Sequence, residues 1–108
     1  MYAVVGCVRI KPGHEEQTRS MIAERGVAMV QGMAGSSRAY WARTIDGRLI
    51  QHSFWLFDTE ENARRAQATF SGLRAMPDAP ATFVSVDVCE VIGEAQPDAL
   101  IELKPPVG

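Results

Sequence analysis

Residues 51–66, QHSFWLFDTEENARRA, contain the change of pattern that decides the fold. The first seven of them form an aromatic and apolar run typical of a strand, and the following residues have the 3.6-residue spacing of a helix. Asp58 and Glu61 have the spacing of a capping box, and Thr59 with Asn62 is an equally good start for the helix. The stretch therefore predicts a strand that leads directly into a helix.

The other elements are predicted outward from this junction. The predicted strands cover residues 2–10, 37–43, 49–57 and 82–92, and the predicted helices run from about residue 14 to residues 32–35 and from residue 59 to 73. Gly26 lies inside the first helix and costs about 1 kcal/mol relative to alanine, which predicts a close contact or a bend there. The order β-α-β-β-α-β is typical of an α+β ferredoxin-like domain, an antiparallel four-stranded sheet with two helices on one face.

The second and third strands flank Asp46-Gly47, a strong signal for a hairpin. A two-residue turn places Tyr40 opposite Ser53, and a four-residue loop keeps the same register. The same register places Arg38 opposite Trp55 and Trp41 opposite His52.

Alternation along the strands then divides the side chains of the sheet between two faces. The almost wholly apolar set is Val4, Val8, Trp41, His52, Phe54, Leu56, Val84, Val86 and Val88. The mixed set is Val5, Cys7, Arg9, Arg38, Tyr40, Ser53, Trp55, Phe57, Ser85, Asp87 and Cys89. We expect the apolar set to lie in a subunit interface and the mixed set to line a cavity under the helices. The reverse assignment stays open, because alternation does not say which face is covered.

Composition predicts one globular domain over residues 1–92 and a tail over residues 93–108. The 108 residues are 46% hydrophobic and 22% charged, and the formal net charge of −2 gives no electrostatic reason to expect nucleic acid or an anionic membrane. No run approaches the roughly 20 apolar residues of a membrane span, and no signal-peptide pattern is present, so we expect a cytoplasmic protein. Cys7 and Cys89 form no metal-binding pattern, and we predict neither a metal nor a cofactor.

The layout of residues 2–92 resembles the antibiotic biosynthesis monooxygenase-like family of dimeric α+β barrels. The most specific match is LFDTEENA, residues 56–63, which resembles the strand-to-helix junction of that family, with Phe57 as its aromatic residue. The family contains cofactor-independent oxygenases of polycyclic aromatic substrates, haem-degrading enzymes and members of unassigned role.

The catalytic pattern of the active members is an Asn on the first strand, a Trp at the junction and, in haem degraders, a His on the second helix. Cys7, Phe57 and about Ala66 stand at the matching positions, and all three depart from this pattern. The resemblance implies a monooxygenase-like protein that acts on or binds a small aromatic or apolar molecule, whereas the three departures argue against haem degradation and favour a protein without catalysis. A non-catalytic dimeric ligand-binding or stress-associated protein of the same fold is the alternative.

The predicted pocket combines the mixed sheet face with the first helix. Tyr40 and Trp55 are the candidate catalytic residues. The candidate ligand-binding residues are Cys7, Arg38, Ser53, Phe57, Met21 and Ile22. We also predict a homodimer through the apolar sheet face, with residues 99–103 docked on the partner subunit, since Leu100, Ile101 and Leu103 are poorly explained in a solvated tail.

Overall fold

A computed structural model of the protein describes residues 1–73 and 79–96. The elements are β1 (Tyr2–Ile10), α1 (Glu15–Met21), a π-helical turn (Ile22–Gly26), α2 (Val27–Gln31), β2 (Ser36–Arg43), β3 (Ile50–Phe57), α3 (Glu60–Gly72) and β4 (Ala81–Glu90). The predicted α+β ferredoxin-like fold is confirmed, with α1, the π turn and α2 together forming the first predicted helix. The predicted docking segment, residues 99–103, lies outside the described residues, and the domain limit at residue 92 stays a prediction.

All strand pairs are antiparallel, and the strand order is β2-β3-β1-β4. The helices pack on one face of this sheet. The core between them consists of Val4, Val8, Val30, Trp55, Phe57, Ala63, Ala66 and Phe70. Nothing in the described part of the chain covers the opposite face, where Tyr40 is 55% and Phe54 43% exposed.

The predicted register of the β2–β3 hairpin is wrong by one residue. Thr44 N donates to Ile50 O at 2.9 Å, so residues 45–49 form the loop, an odd number instead of two or four. Asp46 folds this loop locally, because its carboxylate accepts hydrogen bonds from the backbone N–H of Arg48 at 3.2 Å and from Arg48 Nε at 2.7 Å. The same backbone and side-chain hydrogen bonds from Arg48 lower the pKa of Asp46.

Because the observed register differs from the predicted one by one residue, every side chain of β2 lies on the face opposite to the predicted one, relative to β3. Trp41 faces Ser53, Tyr40 faces Phe54 and Arg38 faces Leu56. Tyr40 therefore lies on the uncovered face, and Trp41 lies under the helices.

The prediction that Ser53, Trp55 and Phe57 of β3 lie under the helices is correct. The register between β1 and β3 was not predicted from the sequence. Val4 lies between Trp55 and Val88, so β1 and most of β4 present their apolar set to the helices. A β-bulge near Cys7 and Val8 leaves Val84 out of the pairing and 54% exposed. We call the uncovered side the open face; its central residues are Val5, Cys7, Tyr40, His52, Phe54, Leu56, Asp87 and Cys89.

The first helix departs from α geometry at the predicted position. The π turn ends at Gly26, where an added Cβ would lie 3.6 Å from Cζ2 of Trp41. The expected irregularity at Gly26 is thus confirmed, and its backbone packs beside the Trp41 ring. α3 begins as the second of the two predicted caps requires, because Thr59 Oγ1 accepts a hydrogen bond from Asn62 N at 3.2 Å.

Candidate functional site

The structure divides the predicted pocket residues between the two faces of the sheet. Ser53, Trp55 and Phe57 lie under the helices and are 4%, 1% and 0% exposed. Tyr40 and Cys7 lie on the open face, so the predicted cavity bordered jointly by Tyr40, Ser53, Trp55 and Phe57 does not form. Met21, 37% exposed, ends α1, and Ile22 begins the π turn.

Aromatic side chains fill the space under α3 where a cavity was expected. The ring of Phe70 lies 4.8 Å from that of Trp55 and 5.0 Å from that of Phe83, measured between centroids. Gly6 makes room for this ring, since a Cβ there would stand only 2.7 Å from Cζ of Phe70 and 2.6 Å from Oγ of Ser53. The side of the sheet toward α3 is therefore packed, and space for a ligand is found on the side toward β2.

A groove of about 240 Å³ runs between α2 and β2. We call it the α2–β2 groove; it is lined by Val27, Val30, Gln31, Ser36, Ser37, Arg38, Ala39 and Trp41. Its volume is slightly below the range for small-molecule sites, roughly 300 to 1,000 Å³. The groove therefore suits a small ligand rather than a macrocycle. Of the predicted ligand-binding residues, Arg38 lines it.

Trp41 connects the groove with the core. Its ring meets that of Trp55 edge to face, with centroids 6.0 Å apart, and it also contacts the π turn at Gly26. The indole Nε1 of Trp55 is buried and has no hydrogen-bond partner among the residues that the structure describes. A buried indole N–H normally has a partner, and leaving one unpaired costs roughly 1 to 3 kcal/mol. Behind the groove wall, the protein thus holds an unused hydrogen-bond donor.

A second buried donor belongs to Arg43, at the other end of the first helix. Arg43 Nη2 donates to Thr18 Oγ1 at 2.8 Å and to Gln51 Oε1 at 3.3 Å, while its Nε has no partner in residues 1–73 or 79–96. Arg43 forms no ion pair within residues 1–73 and 79–96. These contacts tie α1 to the sheet.

A smaller cavity of about 80 Å³ lies between α3 and the end of the first helix. It is lined by Met33, Ala34, Asn62, Arg65, Ala66 and Thr69. Ala66 stands at about the position where haem degraders of the resembling family carry a His, and an alanine side chain offers no ligand for iron. Neither the side chain nor the volume at this place fits haem.

Metal-binding clusters and membrane helices are not features of the described residues. No group of three or more His, Cys, Asp or Glu side chains is placed to hold a metal ion there. None of the helices in this part of the chain is long and apolar enough to cross a membrane.

Sequence reasoning missed Trp41, Val27, Val30 and Gln31 as groove residues. The first was assigned to the opposite face by the register error, and the others were left among the unassigned residues of a helix. The odd loop length that would have corrected the register depends on Leu49, which adopts a positive φ of 59°. A leucine gives no signal for that conformation.

No family model matches the sequence, and no curated protein matches it significantly. Solved structures do share the fold. MhuD from Mycobacterium tuberculosis, solved with two hemes bound in its active site, has a TM-score of 0.69 and 18% identity, with 89% of this chain and 100% of MhuD covered. HapK from Hahella chejuensis has a TM-score of 0.68 and 13% identity, with 89% and 97% covered.

A protein from Bordetella bronchiseptica, proposed to be an antibiotic biosynthesis monooxygenase, has a TM-score of 0.61 and 15% identity, with 84% of this chain and 96% of that chain covered. The resemblance predicted from the sequence is confirmed at the level of the fold. Identities this low show a shared fold. They do not show that this chain has the reaction, the substrate or the assembly of those proteins.

Proposed function

We propose that this protein is monooxygenase-like and that it binds a small aromatic molecule in the α2–β2 groove. The observation that carries the proposal is the groove itself, with the ring of Trp41 in its wall and the unpaired Nε1 of Trp55 behind that ring. Flat rings pack well on an exposed tryptophan face, and pockets of this kind combine apolar walls with a few polar groups. The shared fold with a proposed monooxygenase is consistent with this role.

The oxygenation reaction would need few catalytic groups from the protein. An electron-rich substrate such as anthrone reacts with O2 so that one oxygen atom replaces the two hydrogens of a ring carbon and the other leaves with them as water. The substrate loses a proton to solvent water, and the resulting anion supplies the electrons to O2. The groove would hold the ring against Trp41 and exclude water from one side.

Binding without catalysis is the second candidate function. Cys7, Phe57 and Ala66 replace the residues that active members of the resembling family use. In addition, the described residues that line the groove include no His, Asp, Glu, Lys or Tyr that could act as a general base. In that case the protein would be a dimeric ligand-binding protein that has the fold of the family without its catalytic activity.

Oxygen uptake with anthrone distinguishes the two functions. We expect protein-dependent uptake above the spontaneous rate, and we expect Trp41→Ala to reduce it by about 10-fold or more, because the substrate loses its orienting surface. Tyr40→Phe is the matched aromatic control and should leave uptake unchanged, since the Tyr40 hydroxyl lies on the open face. Saturable anthrone binding without uptake would favour the binding protein, and neither binding nor uptake would refute both.

The open face supports a proposal about assembly. Phe54 and Tyr40 face each other across β2 and β3, and Phe54 also faces Val5 of β1. Large apolar side chains gain roughly 1.5 to 3 kcal/mol each when they are fully buried, so this surface favours contact with a second copy of the sheet. We therefore propose a homodimer joined through the open face, with residues 99–103 docked on the partner subunit.

A further inference from the structure

We infer that the homodimer has one defined orientation, in which β2 of each subunit lies over β4 of the other and Arg38 forms an ion pair with the partner's Asp87. This inference rests on the proposed function, since it concerns the homodimer joined through the open face. Three features carry it: the positions of two opposite charges, the symmetry of a contact between identical faces, and the sizes of the side chains on β1 and β3.

The open face has charges of opposite sign at its two edges. Arg38 lies on edge strand β2, opposite Leu56 of β3. Asp87 lies on the other edge strand, β4, opposite Val5 of β1. Both charged residues are exposed, and neither forms an ion pair in the part of the chain that the structure describes. Their strands are three spacings apart, about 14 Å, so a contact within one subunit would require both side chains to stretch across the apolar centre of the face.

A dimer through this face needs a partner for each of these charges. An unpaired charge in an interface is strongly unfavourable, whereas a carboxylate and a guanidinium can compensate each other. The interface between two identical copies is isologous, so a contact from Arg38 to the partner's Asp87 is necessarily formed twice. The open face is therefore complementary to itself in charge.

Two orientations are compatible with the packing of two sheets. Sheets packed face to face keep their strand directions within about 30° of each other, so a two-fold axis through the centre of the face runs along the strands or across them. An axis along the strands places β2 over β4 of the partner subunit. Tyr40 then lies over the partner's Asp87, and Arg38, roughly 7 Å further along β2, is within reach of it. An axis across the strands leaves Arg38 and the partner's Asp87 at opposite edges.

The sizes of the side chains favour the same orientation. On the open face, β3 presents larger residues than β1 does: His52, Phe54 and Leu56 against Cys7, Val5 and Ala3. With the axis along the strands, each large residue of β3 meets a small residue of β1 of the partner subunit, which allows the two layers to interdigitate. With the axis across the strands, large residues meet large ones and small residues meet small ones.

Arg9 is a second arginine of the open face and distinguishes the two orientations. It is exposed and lies on β1, opposite Ile50. With the axis across the strands, Arg9 comes nearer to the partner's Asp87 than Arg38 does. The two orientations thus predict different arginines beside that carboxylate.

The test is sedimentation velocity of full-length variants at micromolar concentration, with circular dichroism to check the fold. Arg38→Asp opposes two carboxylates at both contacts and Asp87→Arg opposes two guanidinium groups, so we expect each to raise the Kd of the dimer about 100-fold or more. Mixing the two variants should restore a dimer, because both contacts of the mixed dimer join opposite charges. Both positions are exposed in the separate subunit, so each variant should fold.

Arg9→Asp is the matched charge control and should leave the dimer largely intact. Dissociation by Arg9→Asp, with rescue on mixing with Asp87→Arg, would overturn this orientation in favour of the other one. Charge reversals at positions 38 and 87 that have no effect, or that are not rescued on mixing, would also overturn it, while dissociation by Phe54→Asp would leave the proposed homodimer standing. A wild type that is monomeric at micromolar concentration would overturn the homodimer and the orientation together.

Discussion

Replacing Gly35 by alanine should lower the free energy of unfolding by about 2 to 4 kcal/mol. Gly35 has a positive φ of 76°, which costs an L-residue roughly 1 to 2 kcal/mol. Its added Cβ would also overlap the carboxylate of Asp58 and stand 2.5 Å from Nδ2 of Asn62. Asp58 Oδ1 accepts a hydrogen bond from that Nδ2 at 2.9 Å, so relieving the overlap would break a contact at the start of α3. Urea unfolding of the variant measures the loss.

Two further variants separate the causes of this loss. Gly47 has a φ of 85°, and an added Cβ there meets nothing within 4 Å, so Gly47→Ala should cost only the conformational part, about 1 kcal/mol. Asp58→Ala removes the carboxylate that the new methyl group would meet. We expect Gly35→Ala to cost less in the Asp58→Ala background than in the wild type; strict additivity would contradict the proposed overlap.

Replacing Phe54 by aspartate should convert the proposed homodimer into a folded monomer. In the proposed homodimer this side chain lies in the contact between two open faces, and an unpaired carboxylate buried there costs several kcal/mol. In the separate subunit Phe54 is 43% exposed, so the fold itself should tolerate the change. Sedimentation velocity at micromolar concentration, with circular dichroism for the fold, measures both expectations.

The controls for this variant come from positions of different burial. Ile45 is fully exposed in the hairpin loop, and Ile45→Asp should leave the dimer intact. Phe57 is 0% exposed under the helices, and Phe57→Asp should unfold the chain instead of dissociating it. A monomeric wild type, or a dimeric Phe54→Asp variant, would contradict the proposed interface.

The order and type of the elements could be predicted from the sequence because their signals are local. The alternation of β4, the Lys11-Pro12-Gly13 stop after β1 and the change of period after Phe57 each act within a few residues. The start of α3 was limited to two neighbouring caps, and the structure selects Thr59. Element limits accordingly agree within about two residues.

The distribution of side chains between the two faces could not be predicted, because it depends on register between strands. An odd loop between Thr44 and Ile50 reverses the face of β2, and the pairing of Val4 with Trp55 fixes that of β1. Each of these registers is set by contacts between strands that are distant in sequence, and alternation within one strand does not determine it. The bulge that exposes Val84 is of the same kind.

The position of the candidate site depends on these strand registers. Trp55, Phe57 and Ser53 were correctly placed under the helices, but Tyr40 and Trp41 exchanged faces, which moved the site from the centre of the sheet to the α2–β2 groove. Phe70 completed the change, since its ring fills the space beside Trp55 and Gly6. That packing depends on the orientation of α3 on the sheet, which cannot be predicted from the sequence of α3 alone.

The most direct measurement of the central claim, an aromatic ligand in the α2–β2 groove, uses the two tryptophans of the chain. A ¹H–¹⁵N spectrum should contain two indole signals, assigned by Trp41→Phe and Trp55→Phe. We predict that 2-naphthoate shifts the Trp41 signal saturably and the buried Trp55 signal with it, while the amide signals of residues 46–48 stay fixed. Indole signals that do not move at saturating probe, or shifts confined to the open face around Tyr40 and Phe54, would contradict the claim.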